Sequence, residues 1–256
     1  MKTLYRINGD VIAEGVCSMS QLAEDNKSNM ECVDLSHEKL RRVNLKRAKL
    51  HGSMFYQSDL SSANLSFADI RNSNFSMADL KGVKLCEADL RRSLLSGANL
   101  CKSEIHRSDM RLTDLQDARL KYAYIHGSKL QYSLLRCANM EYSAIYGCNL
   151  SNSDMRNVNL SGTSLDKSIL TGVDLTGANL DNVSIRETTG NGKEIRSTMI
   201  GLWKIAKTDK EMAIGCKQFP IERWWDFTDE EINSMDSRAL VWWKYYKDCV
   251  KDWAKG

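Results

Sequence analysis

The chain has 256 residues, with 36 Lys and Arg against 33 Asp and Glu and a formal net charge of +3. That length suits one large domain or two small ones, and the near balance of charge excludes a uniformly acidic or basic protein. A single proline, Pro220, excludes Pro-rich linkers and tails. Eight cysteines, none in a Cys-x-x-Cys pair, fall far below a disulfide scaffold and fit reduced thiols in a cytosol. The opening Met1–Asp10 has no long apolar run, and no stretch reaches about 18 apolar residues. The expectation is a soluble, cytoplasmic chain with no leader and no membrane span.

Residues 1–32 predict a small N-terminal cap. Tyr5–Glu14 set Asn8-Gly9 between short β-prone runs, a hairpin signal. Ser20 to about Asn29 reads as a short helix with Ser20 as its N-cap.

A strict period of five follows. From Leu35 to Ile185 every position divisible by five is Leu, Ile, Met or Phe, 31 consecutive centres. Two residues before each centre the side chain is small, as at Val43, Ala48, Ser53, Ser58 and Ala63, with Glu38 the clear exception. A helix of 3.6 residues per turn would smear this period around its surface, and a flat strand would alternate it between faces. The pattern instead describes a chain that turns a corner every five residues, with two side chains inward and three outward. Four such sides make a coil of 20 residues.

Units such as Ala63-Asn64-Leu65-Ser66-Phe67, Ala78-Asp79-Leu80-Lys81-Gly82 and Ala178-Asn179-Leu180-Asp181-Asn182 resemble the pentapeptide-repeat family over about residues 33–187. The resemblance implies an all-β fold, a right-handed quadrilateral β-helix of about 7–8 coils. At the usual strand spacing the rod would be about 37 Å long. Burying each centre contributes roughly 1.5–3 kcal/mol, which offsets a backbone entropy of about 1–2 kcal/mol per residue only when coils stack on one another. Both ends of such a solenoid therefore need caps.

Residues 188–256 predict a C-terminal capping module with helices. The phase breaks at Gly190, and Met199–Ile205 is expected to pair with Met212–Ile214 around Thr208-Asp209-Lys210. Thr228-Asp229-Glu230-Glu231 reads as a capping box, and Ser237 as the cap of a last helix through about Ala254. All six Trp lie after residue 200. Their expected use is to plug the last coil and form a small core, with an oligomer or partner surface at Trp242, Trp243, Tyr246 and Trp253 as the alternative. The stretch from Ile214-Gly215-Cys216 through Trp224-Trp225 to Trp242-Trp243 resembles the tails of some phage and prophage members.

Catalysis needs reactive groups held in a concave site, whereas a regular repeat helix presents convex walls. His106 and His126 share a column with Cys86 one coil earlier and Tyr146 one coil later. A Cys86–His106–His126 metal cluster is the sharp reading, and an uncoordinated surface column is the favoured one. Cys148 falls at a small inward position. Asp69, Asp89 and Asp109 stand beside Arg71, Arg91 and Arg111, which reads as a mutually neutralising ladder. No enzyme, metal or cofactor is expected.

Folding the sequence onto coils also gathers aromatic residues. Tyr122 and Tyr142 share a column, Tyr124 lies on the next side, and His106, His126 and Tyr146 stand beside it. Tyr is enriched in binding hot spots, so these six are protein-binding candidates, with a ring stack that simply covers the wall as the alternative. Arg41, Arg42, Lys46, Arg47 and Lys49 form a basic cluster suited to nucleic acid or an acidic protein, but a solvated charge run is the commoner meaning. The expected function is a non-catalytic protein-binding factor of phage type acting on a host protein of unknown identity, with nucleic acid not expected as partner. Quinolone-resistance members of the family resemble a DNA duplex through an acidic rod and act on gyrase. Residues 33–187 carry 21 Lys and Arg against 17 Asp and Glu, a balance of +4, so gyrase modulation is an alternative without its electrostatic basis. The other alternative is a structural component that self-assembles as a homo-oligomer through its C-terminal module.

Overall fold

The computed structural model describes residues 2–255. Strands β1 (Lys2–Arg6) and β2 (Val11–Gly15) pair antiparallel, closed by a turn in which Arg6 N–H donates to Asp10 O at 2.8 Å. Helix α1 (Met19–Asn26) starts two residues earlier than the sequence suggests. Ser18, in extended backbone, accepts from Gln21 N–H at 3.2 Å and is the cap. Ser20 lies inside the first turn and its hydroxyl donates to Lys39 O at 3.2 Å instead. A 3-10 turn (Lys27–Asn29) leads to β3 (Val33–Asp34), which pairs antiparallel with β1. The helix closes the first coil: Met19, Leu22 and Ala23 join the core, and the Glu24 carboxylate accepts from Asn44 N–H at 2.8 Å.

From Asp34 to Thr189 the backbone is a ladder of parallel bridges between residues 20 apart, beginning with Asp34↔Met54 and ending with Ile169↔Thr189. Each side donates both ways. Leu60 N–H reaches forward to Asp79 O at 2.8 Å, and Asp59 N–H reaches back to Glu38 O at 2.9 Å. At the corner, Val43 N–H closes on Leu40 O at 3.2 Å, and the residue between them takes left-handed backbone, as Arg42 (φ 58), Phe67 (φ 62) and Tyr122 (φ 61) do. That conformation costs an L-residue roughly 1–2 kcal/mol. It persists because the corner N–H is itself used, Arg42 donating to Ser61 O at 2.9 Å.

One column departs from the uniform repeat. Ile105, Ile125 and Ile145 centre short strands β4 (Glu104–His106), β5 (Tyr124–His126) and β6 (Ala144–Tyr146), which form a parallel three-stranded sheet in register. β-Branched centres favour extended backbone. Ser108 N–H then donates to the Ser128 hydroxyl at 3.1 Å, and that hydroxyl donates to Ile105 O at 2.9 Å.

The C-terminal module joins a four-stranded sheet to helices, so more of it is strand than an α-helical module implies. Strands β7 (Arg196–Ile200), β8 (Trp203–Lys207), β9 (Glu211–Ile214) and β10 (Lys217–Pro220) form an antiparallel sheet in the order β10-β9-β8-β7. Met199–Ile205 is therefore a hairpin, not one strand. Gly201 turns it with φ 58, and the space an added Cβ would fill lies 2.7 Å from the Trp242 indole nitrogen. Helices α2 (Arg223–Asp226), α3 (Asp229–Met235) and α4 (Ala239–Lys255) follow. The capping box at Thr228 and Glu231 forms as read, at 3.2 and 2.9 Å. Before α4 the carboxylate of Asp236, rather than Ser237, takes the Arg238 N–H at 2.9 Å.

Two buried clusters result. Ile195, Ala206 and Ala213 extend the rod core, while Ile205, Met212, Trp224, Trp242, Trp243 and Val250 belong to a second core under the helices. Between them Gln218 acts as a piece of missing coil. Its amide donates to Val183 O at 2.7 Å and accepts from Ile185 N–H at 2.8 Å.

Candidate protein-binding face

The corner that carries Tyr122 and Tyr142 sits beside the β4–β6 sheet. The two rings are stacked with centroids 5.7 Å apart and planes 11° from parallel, yet they remain 48% and 53% exposed. Lys121 lies 5.4 and 5.5 Å from their centroids and pairs with Glu141 at 2.8 Å. That hydrogen bond raises the Lys121 pKa. The stack ends against Gly162, where a Cβ would stand 2.5 Å from Tyr142 Cδ1. Many non-glycine residues take the same left-handed corner conformation at a cost, and Gly162 both avoids that cost and leaves room for the ring.

Tyr124 and His126 project from the outward face of β5, since Ile125 between them is buried. Parallel pairing stacks His106, His126 and Tyr146, with centroid distances of 6.1 Å and 5.2 Å. His106 lies 6.3 Å from Tyr124, and Lys167 sits 5.4 Å over the Tyr146 ring. The six residues singled out from the sequence thus form two groups, the Tyr122–Tyr142 stack and the contacting rings of His106, Tyr124, His126 and Tyr146. Lys121, Glu141 and Gly162, which hold the stack, carry no signal without the coil register.

The metal reading of this column changes membership. Cys86, Glu104 and His106 place one ligand atom each within 4.8 Å of one another, so Glu104 stands where the sequence suggests His126. Lys84 is 3.8 Å from Glu104.

The basic cluster is divided. Arg41 faces Asp59 at 3.6 Å, whereas Lys46 and Arg47 flank the Phe67 ring at 5.4 and 5.6 Å on the next corner. The carboxylate ladder is mutually paired: Arg71, Arg91 and Arg111 hold Asp69, Asp89 and Asp109 at 2.6–2.7 Å, and Arg71 reaches on to Asp89 at 3.6 Å. Hydrogen bonds from Arg71 hold the Asp69 carboxyl below its ordinary pKa. At Asp109 burial pushes the other way, but the Arg111 bonds prevail.

Trp242 and Trp243 are not available to a partner, a correction to their reading as surface candidates. Both are buried in their own module, and the Trp242 indole donates to Ile200 O at 3.0 Å. Tyr246 is half-buried against Trp242 at 5.4 Å, and Trp253 is half-buried beneath Arg196 and Lys207. The exposed large apolar residues of this module are instead Met199, Leu202, Val241 at 78% and Tyr245 at 79%. Among the described residues no helix is long and apolar enough to cross a membrane.

A coil of 20 residues, closed by parallel bridges and centred on one large and one small inward residue per side, defines a repeat solenoid. The chain belongs to the pentapeptide-repeat family: the model named Pentapeptide repeats matches eight copies over residues 28–63, 39–76, 78–117, 113–157 and 153–189. Members of that family fold as right-handed quadrilateral β-helices and are generally non-catalytic structural or binding proteins. Among solved structures the chain is similar to HetL of the cyanobacterium Nostoc, a pentapeptide repeat protein involved in heterocyst differentiation regulation, at 22% identity and TM-score 0.32, covering 70% of this chain and 98% of that one. It is also similar to QnrB1, a plasmid-mediated fluoroquinolone resistance protein, at 21% identity and TM-score 0.33, covering 59% and 89%. A pentapeptide repeat protein of the Arabidopsis thaliana thylakoid lumen aligns at 19% identity and TM-score 0.29, covering 56% and 77%. No curated protein matches the chain.

Proposed function

We propose that this protein is a non-catalytic binding factor whose rigid wall presents Tyr122, Tyr124, Tyr142 and Tyr146, with His106 and His126, to a protein partner. One observation carries the reading: the Tyr122–Tyr142 stack is about half exposed although each ring is already fixed by its neighbour. Fixed aromatic side chains lose little entropy on binding, and an adjacent backbone sheet holds the face in shape. Tyr124, 61% exposed, is the natural centre of contact. Gyrase modulation, the alternative drawn from the family, requires an acidic rod, and the +4 balance of residues 33–187 argues against it. The exposed Val241 and Tyr245 favour self-association through α4 as a second reading.

The test is affinity capture with wild type and with a Tyr122→Ala/Tyr142→Ala variant whose circular dichroism is unchanged. A partner held by wild type and lost by the variant supports the face. A partner held equally by both refutes it. Sedimentation of the same samples reads the second mode, which a Val241→Asp/Tyr245→Asp change would abolish.

A further inference from the structure

We propose that Cys86, Glu104 and His106 form a three-ligand site for a borderline-soft divalent cation, Zn²⁺ being the best match. Their ligand atoms already lie within 4.8 Å of one another. Zinc bonds of about 2.0–2.3 Å to sulfur, nitrogen and oxygen in tetrahedral geometry bring ligand atoms to roughly 3.3–3.8 Å apart, so the cluster needs to close by no more than about 1.5 Å. A thiolate with an imidazole selects against magnesium and calcium, which take oxygen ligands.

The backbone beneath Glu104 and His106 belongs to the parallel β4–β6 sheet. Glu104 and His106 flank buried Ile105 on β4 and so share its outward face. Their carbonyls are tied into the ladder, Leu85 N–H donating to Glu104 O at 2.8 Å and Glu87 N–H to His106 O at 2.7 Å. The same two bonds fix the segment that carries Cys86, whose thiol points towards Glu104 O at 3.9 Å. Three ligands from two adjacent coils are thus held on fixed supports. The nearest opposing charge, the Lys84 ammonium 3.8 Å from Glu104, is on a side chain half exposed to water and swings aside without losing a buried partner. His126, whose ring centroid is 6.1 Å from that of His106, stands outside the ligand set. All three side chains are partly exposed, so water can complete the coordination, as in zinc sites that keep one place for water or an incoming donor. Binding clips coil to coil and raises stability by mass action.

The experiment uses the full-length protein, stripped by chelator and reduced, in equilibrium dialysis against Zn²⁺, with Co²⁺ as spectroscopic probe. The expected result is one equivalent of metal, a cobalt–thiolate charge-transfer band, and protection of Cys86 from alkylation read by peptide mass spectrometry. Cys86→Ser and His106→Asn should each weaken binding beyond the roughly 10–100-fold typical of an outer-shell partner, with circular dichroism unchanged. Cys137→Ser, which changes an exposed cysteine elsewhere, should leave binding intact. Absence of stoichiometric metal, or binding unaltered by Cys86→Ser, overturns the site. Loss on His126→Ala with retention on Glu104→Gln overturns this ligand set.

Discussion

The rings of Phe55 and Phe75, twenty residues apart in the chain, lie face to face with centroids 4.5 Å apart and planes 4° from parallel. Both are fully buried. The stack shows how the coil turns a sequence interval into a contact: each inward centre rests on the one a coil away, so the core is a set of columns rather than a single cluster.

Phe75→Ala removes one ring from such a column and leaves the neighbouring coils held apart by their backbone ladder. The cavity persists, and the expected loss is about 3–5 kcal/mol. Urea denaturation followed by circular dichroism measures it, and a loss below about 1 kcal/mol would show that the coils collapse onto the gap.

Gly162→Ala places a methyl group against the Tyr142 ring, at 2.5 Å from Cδ1 before relaxation. The ring must turn, breaking its stack on Tyr122. Weaker partner capture is expected, together with a loss of stability of about 1–2 kcal/mol from placing an L-residue in the left-handed corner. Capture unaltered by a substitution shown crystallographically to rotate the ring would remove ring orientation from the binding argument.

Gln218→Ala strips the terminal coil of the amide that satisfies Val183 O and Ile185 N–H. Hydrogen exchange at Ile185 should accelerate strongly, while the mid-rod amide of Leu100, bonded to Arg119 O, is unchanged. Equal protection of Ile185 in both proteins would mean that the β7–β10 sheet seals the end without this side chain.

The paired carboxylates govern acid behaviour. Asp69, Asp109 and Asp154 have folded pKa values lowered in net by their Arg partners. A carboxyl lowered on folding stabilises the fold fully above its unfolded pKa, about 3.9, and this contribution is lost as the pH falls through the folded value. Stability should therefore decline below about pH 4 through these groups. An Asp69→Asn/Asp109→Asn variant should decline less steeply than wild type in acid melts, and identical slopes would exclude the ladder as the cause.

Cys148 is the least reactive thiol expected here. Desolvation raises its pKa to about 12, and its Sγ lies 3.0 Å from Ile125 O inside the rod. Iodoacetamide at pH 8 should modify exposed Cys216 and Cys249 well before Cys148. Comparable rates in the native protein would indicate that the coil opens at that column.

The period of five, with a large residue at each centre and a small one two places before it, determined the coil by sequence alone, because no other backbone buries that spacing. The same register foretold which aromatic residues share a column. Other features depended on contacts with no sequence interval to reveal them. Gln218 caps a coil 33 residues earlier, and Gly162 makes room for a ring one coil away. The sequence marks the β8–β9 pairing around Thr208-Asp209-Lys210 and a small Trp-rich core, but the C-terminal strands follow no period, so the addition of β7 and β10 and the separation of this second core from the rod emerged only in the tertiary structure. Glu104 joined Cys86 and His106 for the same reason: proximity across coils depends on which way each side chain turns, and that is a property of packing rather than of spacing.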